Sequence, residues 1–198
     1  SSLLTGQHTG HTRLRNTEPL DWITGIYVNP GPLLLRDETI PEILKQDGYK
    51  TAGVGKWHTG AAESSGTPSL QGFDYFLGHI LQSAHGWPNY FPTMLWENNS
   101  IISHSASNYV EDTFTQKAID FITQNQVQPF FLNIDYNAPH LFFAAPSLGS
   151  YANKPWTQNQ KIYAAMIERL DFNVGRIMST LENLGIDQNT LIVFTSDN

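Results

Sequence analysis

Lys56 and His58 follow a short segment of small residues, 51–55, that ends at a glycine. Lysine supplies a fixed positive charge, and histidine can donate or accept a proton near neutral pH. A lysine and a histidine at the end of a buried strand can therefore face one anionic group. The segment is also typical of a strand end with a solvated lysine and a packing tryptophan, Trp57, and taken alone it leaves both interpretations open.

Two further apolar segments of the sequence are followed by polar side chains. The segment 130–134 leads into a polar, proline-containing turn that ends at His140. A lone histidine after a strand is usually structural, but the polar neighbours of His140 give a functional role more weight, and both interpretations stay open. The segment 191–195 is followed by Asp197 and Asn198, whose oxygen atoms suit a hard divalent cation such as calcium or magnesium.

Helices and strands alternate along the sequence, which predicts an α/β fold with a mostly parallel sheet between helix layers. The helices are predicted over 39–47, 108–125 and 157–184, and the strands over 51–55, 72–78, 130–134 and 191–195, with a hairpin turning at 98–99. Asn108 and Glu111 are expected to cap the second helix, and the apolar stripe of the third is expected to lie in the core. Such sheets bind ligands beyond the carboxyl ends of their strands. We therefore expect a metal-assisted site there, acting on a sulfate or phosphate group.

Composition narrows the class of protein further. The chain of 198 residues is long enough for one domain, and its formal charge of −7 argues against nucleic acid as the main partner. The absence of cysteine excludes disulfides, thiolate catalysis and zinc–sulfur sites within this sequence. No run of about 18 apolar residues is present, so we predict no membrane-spanning helix. His8 and His11 lie in a glycine-rich loop, where we favour loop hydrogen bonding over metal binding.

Five segments of the chain resemble, in the family's order, conserved segments of the formylglycine-dependent sulfatases. Residues 48–60 resemble the second signature of that family, a glycine-tyrosine pair followed by Gly-Lys-Trp-His-Leu-Gly, with Thr59 in place of the leucine. The other four are the tail of the first signature at 3–6, a family segment at 72–78, the Pro-His turn at 138–140 and the strand with two metal ligands at 190–198. The matches span nearly the whole chain.

This resemblance implies an alkaline-phosphatase-like α/β/α sandwich, truncated at both ends, and hydrolysis of a sulfate ester with bound calcium. In that family the lysine matched by Lys56 contacts the sulfate, and the histidine matched by His58 holds or relays protons for the hydrated formylglycine. The histidine matched by His140 contacts sulfate and assists the leaving group. Asp197 and Asn198 match metal ligands. The formylglycine itself would come from a modified Cys or Ser upstream of residue 1.

Residues 1–198 are thus expected to be a partial sulfatase catalytic domain, without the N-terminal strand that carries the nucleophile and an aspartate pair, and without the C-terminal subdomain. We predict that this part alone does not hydrolyse a sulfate ester. The expected partner is a sulfated small molecule or sulfated glycan, and the resemblance implies a periplasmic, secreted or lysosomal location. Two alternatives stay open: a phosphate or phosphonate ester hydrolase of the same fold, and a non-catalytic paralogue that binds a sulfated glycan. The apolar run 141–143 is expected to shape an aryl or hydrophobic substrate pocket.

Overall fold

The computed structural model describes residues 2–8, 10–12, 20–21, 26–27, 32–60, 63–80 and 89–196. The helices are α1 (Ser2–Thr5), α2 (Ile40–Gln46), α3 (Val110–Asn125) and α4 (Gln158–Asn183). The strands are β1 (Leu20–Asp21), β2 (Ile26–Tyr27), β3 (Lys50–Lys56), β4 (Tyr75–His79), β5 (Met94–Glu97), β6 (Ser100–Ser103) and β7 (Phe130–Asp135). Short 3-10 helices cover Pro68–Gln71, Gly149–Tyr151 and Asp187–Asn189.

Five of the strands form one sheet in the order β6-β5-β4-β3-β7, while β1 and β2 pair separately. β3 lies between β4 and β7 and runs parallel to both. β5 is antiparallel to β4 and to β6, so the antiparallel pairing is confined to the lateral side of the sheet formed by β5 and β6. The predicted hairpin at 98–99 is confirmed, with Asn98 in the left-handed region at φ 52°. The predicted α/β fold with its parallel sheet around β3 is confirmed.

The small residues of β3 allow close packing on both faces of the sheet. Successive side chains of a strand point to opposite faces, so Gly53 and Val54 face opposite layers. On the Gly53 face, rings of Phe73 and Phe76 lie against the strand. On the Val54 face, the fully buried Phe114 of α3 joins the hydrophobic cluster. Burying one side chain of that size contributes roughly 1.5–3 kcal/mol to stability.

The start of α3 differs from the prediction. The helix begins at Val110 after the N-cap residue Tyr109, whose side chain makes no capping hydrogen bond. Asn108 is therefore not the cap, and the Glu111 side chain points inward instead of capping the helix. The backbone N–H of Val110 donates to the carbonyl of Tyr90 at 2.9 Å. Contacts from outside the helix, rather than a local cap, thus hold this helix start.

The third predicted helix is confirmed as α4, with the capping box of Thr157 and Gln160 present. Its apolar stripe is buried only in part: Met166 and Leu181 are buried, while Ile167 is 40% exposed. The expectation that the whole stripe lies in the core was wrong, because α3 covers only one side of the helix among the described elements. A bidentate ion pair between Arg169 of α4 and Asp112 of α3, with both N–O distances 2.7 Å, joins the two helices.

The strand predicted over 191–195 is wrong in this structure. Residues 190–196 form no strand, and the side chains of Leu191 and Phe194 are 89% and 75% exposed. A strand exists only where a neighbour completes its hydrogen-bond ladder. No described residue pairs with this segment, so its apolar sequence alone does not make it a strand. The predicted strand 72–78 also begins later, at Tyr75, because Gly72 caps the 3-10 helix Pro68–Gln71 in a left-handed conformation.

Candidate active site

Three parallel strands end side by side at one edge of the sheet. Gly55 of β3 is paired with Asp135 of β7, and Lys56 is paired with His79 of β4. The carboxyl end of β3 is therefore flanked by the carboxyl ends of β4 and β7. Ligands of α/β sheets bind at this kind of edge. The structure thus brings the segment with Lys56 and the segment that leads to His140 out of the sheet next to each other.

Gly55 allows the backbones of β3 and β7 to come close at that edge. Its φ is +114°, a conformation that side chains rarely adopt, and a Cβ atom there would overlap the carbonyl group of Asp135. Any larger residue would push the two strands apart where their polar side chains begin. The glycine before Lys56 is therefore a requirement of the close strand pair.

Residues 56–60, which we call the lysine loop, are anchored by Trp57. The Trp57 side chain is only 3% exposed, and its Nε1 donates to the carbonyl of Gly66 at 2.6 Å. Its backbone N–H donates to the carbonyl of His79 at 2.9 Å. The ring packs edge-on against Phe73 and Phe76. Trp57 is thus a packing residue, and its contacts hold the backbone of its two ionisable neighbours, Lys56 and His58, in place.

His58 has an unusual backbone conformation, with φ 71°. Left-handed conformations are uncommon for residues other than glycine, cost of order 1 kcal/mol or more, and cluster at functional sites. Burial, followed by the positive charge of Lys56, lowers the pKa of His58. At neutral pH this leaves His58 uncharged, so its ring can accept a proton.

Residues 137–140, which we call the histidine turn, present His140 after β7. The backbone N–H of His140 donates to the carbonyl of Asn137 at 2.9 Å. The Nδ1 atom of His140 lies 2.6 Å from the carbonyl oxygen of Leu141. Because a carbonyl oxygen can only accept, Nδ1 carries the hydrogen in this contact. Nε2 is then the ring atom that changes its protonation state when the ring gains or loses a proton.

Two residues that hold the histidine turn were missed in the sequence. The buried carboxyl group of Glu111 accepts from the Asn137 backbone N–H at 3.1 and 3.3 Å. The hydroxyl of Tyr90 lies 2.7 Å from the carbonyl oxygen of His140. Glu111 and Tyr90 are 26 and 50 residues away from their partners in the chain. No spacing pattern reveals contacts of that kind.

His79 is a further histidine at this edge, and no spacing pattern in the sequence selects it. Burial, followed by the charge of His104, lowers the pKa of His79 to about 4. The ring packs edge-on against Phe114 with 5.9 Å between ring centroids. His79 is therefore neutral at physiological pH and packs against the core beside Lys56.

The predicted metal ligands Asp197 and Asn198 lie outside the described residues. Within the described part of the chain, no group of three or more His, Asp or Glu side chains could hold a metal ion. Asp135, at the end of β7, accepts from Asn133 Nδ2 at 2.6 Å. In the N-terminal loop, His8 Nδ1 accepts from the Gly10 backbone N–H at 3.0 Å, the loop hydrogen bonding that we expected there.

The helices of the described residues include none that is both long and apolar enough to cross a membrane.

A hollow of about 350 Å³ lies against the segment that follows the histidine turn and is lined by Phe143, Trp156, Tyr163 and two polar residues of α4. The hollow is open to solvent rather than enclosed, and its lining is mostly apolar.

Comparison with known proteins identifies relatives over the whole chain. A family model described as Sulfatase matches residues 1–198. Mouse arylsulfatase J is 30% identical over 210 residues, which cover 100% of this chain and 34% of the relative. Mouse N-acetylgalactosamine-6-sulfatase is 32% identical, over 100% of this chain and 40% of the relative. The chain therefore spans about a third to two-fifths of the length of these relatives.

Solved structures share the fold. The crystal structure of Ps i-CgsB superposes with a TM-score of 0.72 at 25% identity, over 93% of this chain and 44% of that chain. A protein in complex with its substrate D-glucosamine-2-N,6-O-disulfate superposes with a TM-score of 0.59 at 20% identity, over 87% of this chain and 52% of its own, which shows the fold alone. These likenesses confirm the alkaline-phosphatase-like architecture. With a family model that covers its full length, the chain belongs to the sulfatase family.

Proposed function

We propose that the full-length protein hydrolyses sulfate esters and that Lys56, His58 and His140 act on the sulfate group. The observation that carries this proposal is the parallel pairing of β3 with β7, with Gly55 opposite Asp135. This register starts the lysine loop and the segment leading to the histidine turn at adjacent points of one sheet edge. The sulfatase signatures fall on the same two segments.

Each of the three side chains has a role that follows from its charge. The ammonium group of Lys56 would offset the negative charge on the sulfuryl oxygens as the S–O bond of the ester breaks. His58, whose pKa is lowered by burial and by Lys56, can accept a proton at neutral pH. The His140 ring would contact the sulfate and donate a proton to the oxygen of the leaving alcohol.

The family also suggests a formylglycine and a metal ion. The formylglycine would supply the nucleophilic oxygen, from a position outside this chain. For the cation, Asp197 and Asn198 remain our proposed oxygen ligands, since carboxylate and amide oxygens suit calcium. The described residues do not form a metal site by themselves, so we derive no step through the cation. Calcium content of the purified full-length protein, compared with its Asp197→Ala variant, tests this assignment: equal content would remove Asp197 from the site.

The substrate that we propose is a sulfated glycan. Ps i-CgsB has been solved in complex with k-i-k-neocarrahexaose, and the second neighbour in complex with a disulfated glucosamine. In this chain, the hollow beyond the histidine turn is lined by three aromatic side chains that a sugar could contact, and one of them, Phe143, belongs to the apolar run that we expected to shape a substrate pocket. An aryl group would occupy the same hollow, which makes an aryl sulfate a suitable assay substrate. A periplasmic, secreted or lysosomal location goes with this proposal.

The activity is tested by kinetics of the full-length protein on para-nitrophenyl sulfate, with Lys56→Ala compared against Lys50→Ala. Lys50 is the first residue of β3, at the end of the strand opposite Lys56, and it is exposed. Loss of a group that stabilises transition-state charge typically costs about 10²–10³-fold in kcat. We expect a loss of that size for Lys56→Ala and about none for Lys50→Ala. Equal rates for the two variants would remove Lys56 from the mechanism.

The two alternatives are separated by the same assay. Faster hydrolysis of para-nitrophenyl phosphate than of the sulfate would favour a phosphatase of the same fold. Binding of a sulfated glycan with no turnover of any ester would favour a non-catalytic paralogue. We expect the sulfate ester to be the preferred substrate, because the sulfatase signatures are specific to that family.

A further inference from the structure

Glu111 is a buried carboxyl group that the proposed chemistry does not use. It lies in the first turn of α3 and is 1% exposed. Isolated acidic side chains are almost never fully buried without a hydrogen-bonding purpose, since removing them from water is costly. Its role is therefore to be sought in what its carboxyl group touches.

The carboxyl group contacts the backbone at the start of the histidine turn. Both oxygens accept from the Asn137 N–H, at 3.1 Å for Oε1 and 3.3 Å for Oε2. Burial raises the pKa of Glu111 to about 8, while hydrogen bonds from Asn137 and from the Ala138 backbone oppose the rise. A neutral carboxyl group still has an oxygen that accepts an N–H, so the contact persists in either protonation state.

Tyr90 closes the other side of the same turn. Tyr90 is only 2% exposed. Its hydroxyl lies 3.2 Å from the carbonyl oxygen of Asn137 and 2.7 Å from that of His140. Its ring is stacked on Tyr109, the residue that precedes α3, with 5.7 Å between centroids and 16° between planes. The start of α3 thus reaches the turn through a carboxyl group on one side and through a stacked tyrosine on the other.

We propose that Glu111 is a positioning residue for His140: its carboxyl group fixes the Asn137 end of the histidine turn and thereby sets where the His140 ring lies at the sheet edge. This inference rests on the proposed function, because it assigns a purpose to the position of a histidine that acts on the sulfate. Glu111 does not touch the substrate in this account. Its effect on the reaction passes through the turn, and should vanish when the His140 ring is absent.

The test is a double-mutant cycle in the full-length protein, with kcat and KM measured on para-nitrophenyl sulfate. We expect Glu111→Leu to lower kcat/KM about 30-fold, mainly through kcat, since misplacing a catalytic group by about 1 Å can cost 10²-fold. In a His140→Ala background the same substitution should cost less than about 3-fold, because coupled residues are non-additive. Glu111→Gln keeps an oxygen that can accept the Asn137 N–H, and should stay within about 3-fold of the parent.

Asp112→Asn is the matched control for a loss of stability alone. Asp112 is the next residue of α3, and its carboxyl group pairs with Arg169 of α4 rather than with the turn. The Asp112→Asn substitution should lower the melting temperature without changing kcat/KM. Equal losses from Glu111→Leu in the parent and His140→Ala backgrounds would overturn the proposal, as would a Glu111→Gln variant as impaired as Glu111→Leu. If Glu111→Leu does not fold, Glu111→Asp, one methylene shorter, takes its place in the cycle.

A second readout separates this proposal from the proposed function. The ring resonances of His140, assigned by NMR with His140→Ala, report the ring's surroundings whether or not the protein cleaves a sulfate ester. We expect them to shift in Glu111→Leu and to stay unchanged in Asp112→Asn. If no ester is hydrolysed but the shift is seen, the sulfatase activity fails and the positioning role stands. If the ring resonances do not respond, the positioning role fails even in an active sulfatase.

Discussion

The lysine loop and the histidine turn leave the same edge of the sheet but are held by different means. The lysine loop depends on close backbone packing in addition to its Trp57 anchor: Gly55 lies against Asp135, and Gly60 against Gly66, where a Cβ would overlap the Gly66 carbonyl. The histidine turn depends on side chains that reach it from the start of α3 and from Tyr90. A side chain added at either glycine of the lysine loop would overlap backbone atoms. In the histidine turn, by contrast, single hydrogen bonds can be removed one at a time.

The first prediction breaks the lysine loop through its backbone. Gly55→Ala should lower the free energy of unfolding by about 4 kcal/mol or more, the range of severe packing and backbone defects, because the new methyl group overlaps Asp135. Chemical denaturation followed by circular dichroism measures this loss. Gly175→Ala, where no atom lies within 4 Å of the new Cβ in α4, is the control and should raise stability by about 0.5–1 kcal/mol. A Gly55→Ala protein as stable as the control would contradict the close-packing account.

The second prediction concerns the carboxyl group that holds the histidine turn. The folded pKa of Glu111, about 8, is above its ordinary value of 4.5. The folded state therefore favours the protonated form, and this contribution to stability is complete below pH 4.5 and is lost as the pH rises towards 8. The other ionisable groups that bear on Glu111 include Tyr90, Tyr109 and Tyr136, whose own pKa values are raised, and Asp112, which is paired with Arg169.

Unfolding free energies at pH 6 and pH 8 measure this effect. The parent protein should lose about 2 kcal/mol more than Glu111→Gln between those two values, since one group contributes up to about 1.4 kcal/mol per pH unit. Glutamine does not titrate, so it removes the slope that belongs to this position. Parallel pH profiles for the two proteins would show that the carboxyl group is not protonated in the folded state.

The third prediction concerns the anchor of the lysine loop. Trp57→Phe removes the hydrogen bond to the Gly66 carbonyl and leaves that oxygen unpaired in a buried place, which should cost about 2 kcal/mol. Trp156→Phe is the matched control, because Trp156 is 44% exposed and is stacked on Tyr151, and it should change stability by less than about 0.5 kcal/mol. Thermal unfolding of both variants measures the difference. Equal shifts would mean that the indole hydrogen bond contributes nothing.

The difference between the two loops also explains what the sequence could predict. Glycines at fixed places around Lys56 are local signals, and the strand before them was predicted within one residue at each end. Glu111 was assigned to a helix cap because its position in the first turn fits that role, yet its partner is 26 residues away. Contacts at such separations depend on the tertiary fold and leave no spacing pattern.

The exposed run at 191–194 shows the limit of apolar patterns. It is more apolar than β7, yet β7 is paired with β3 along its whole length while this run has no strand partner among the described residues. A hydrophobic segment predicts that something will cover it and does not by itself predict a sheet. The roles of Asp197 and Asn198, which follow this run, stay predictions for the same reason.

The proposed site requires that Lys56, His58 and His140 surround one sulfate group. A crystal of the full-length protein soaked with selenate, whose selenium gives an anomalous signal, locates such an anion directly. We predict a peak with oxygens about 3 Å from Lys56 Nζ and from the His140 ring, with His58 beside it. Side chains of Lys56 and His140 that face separate surfaces, or a selenate bound away from both, would contradict the proposed site.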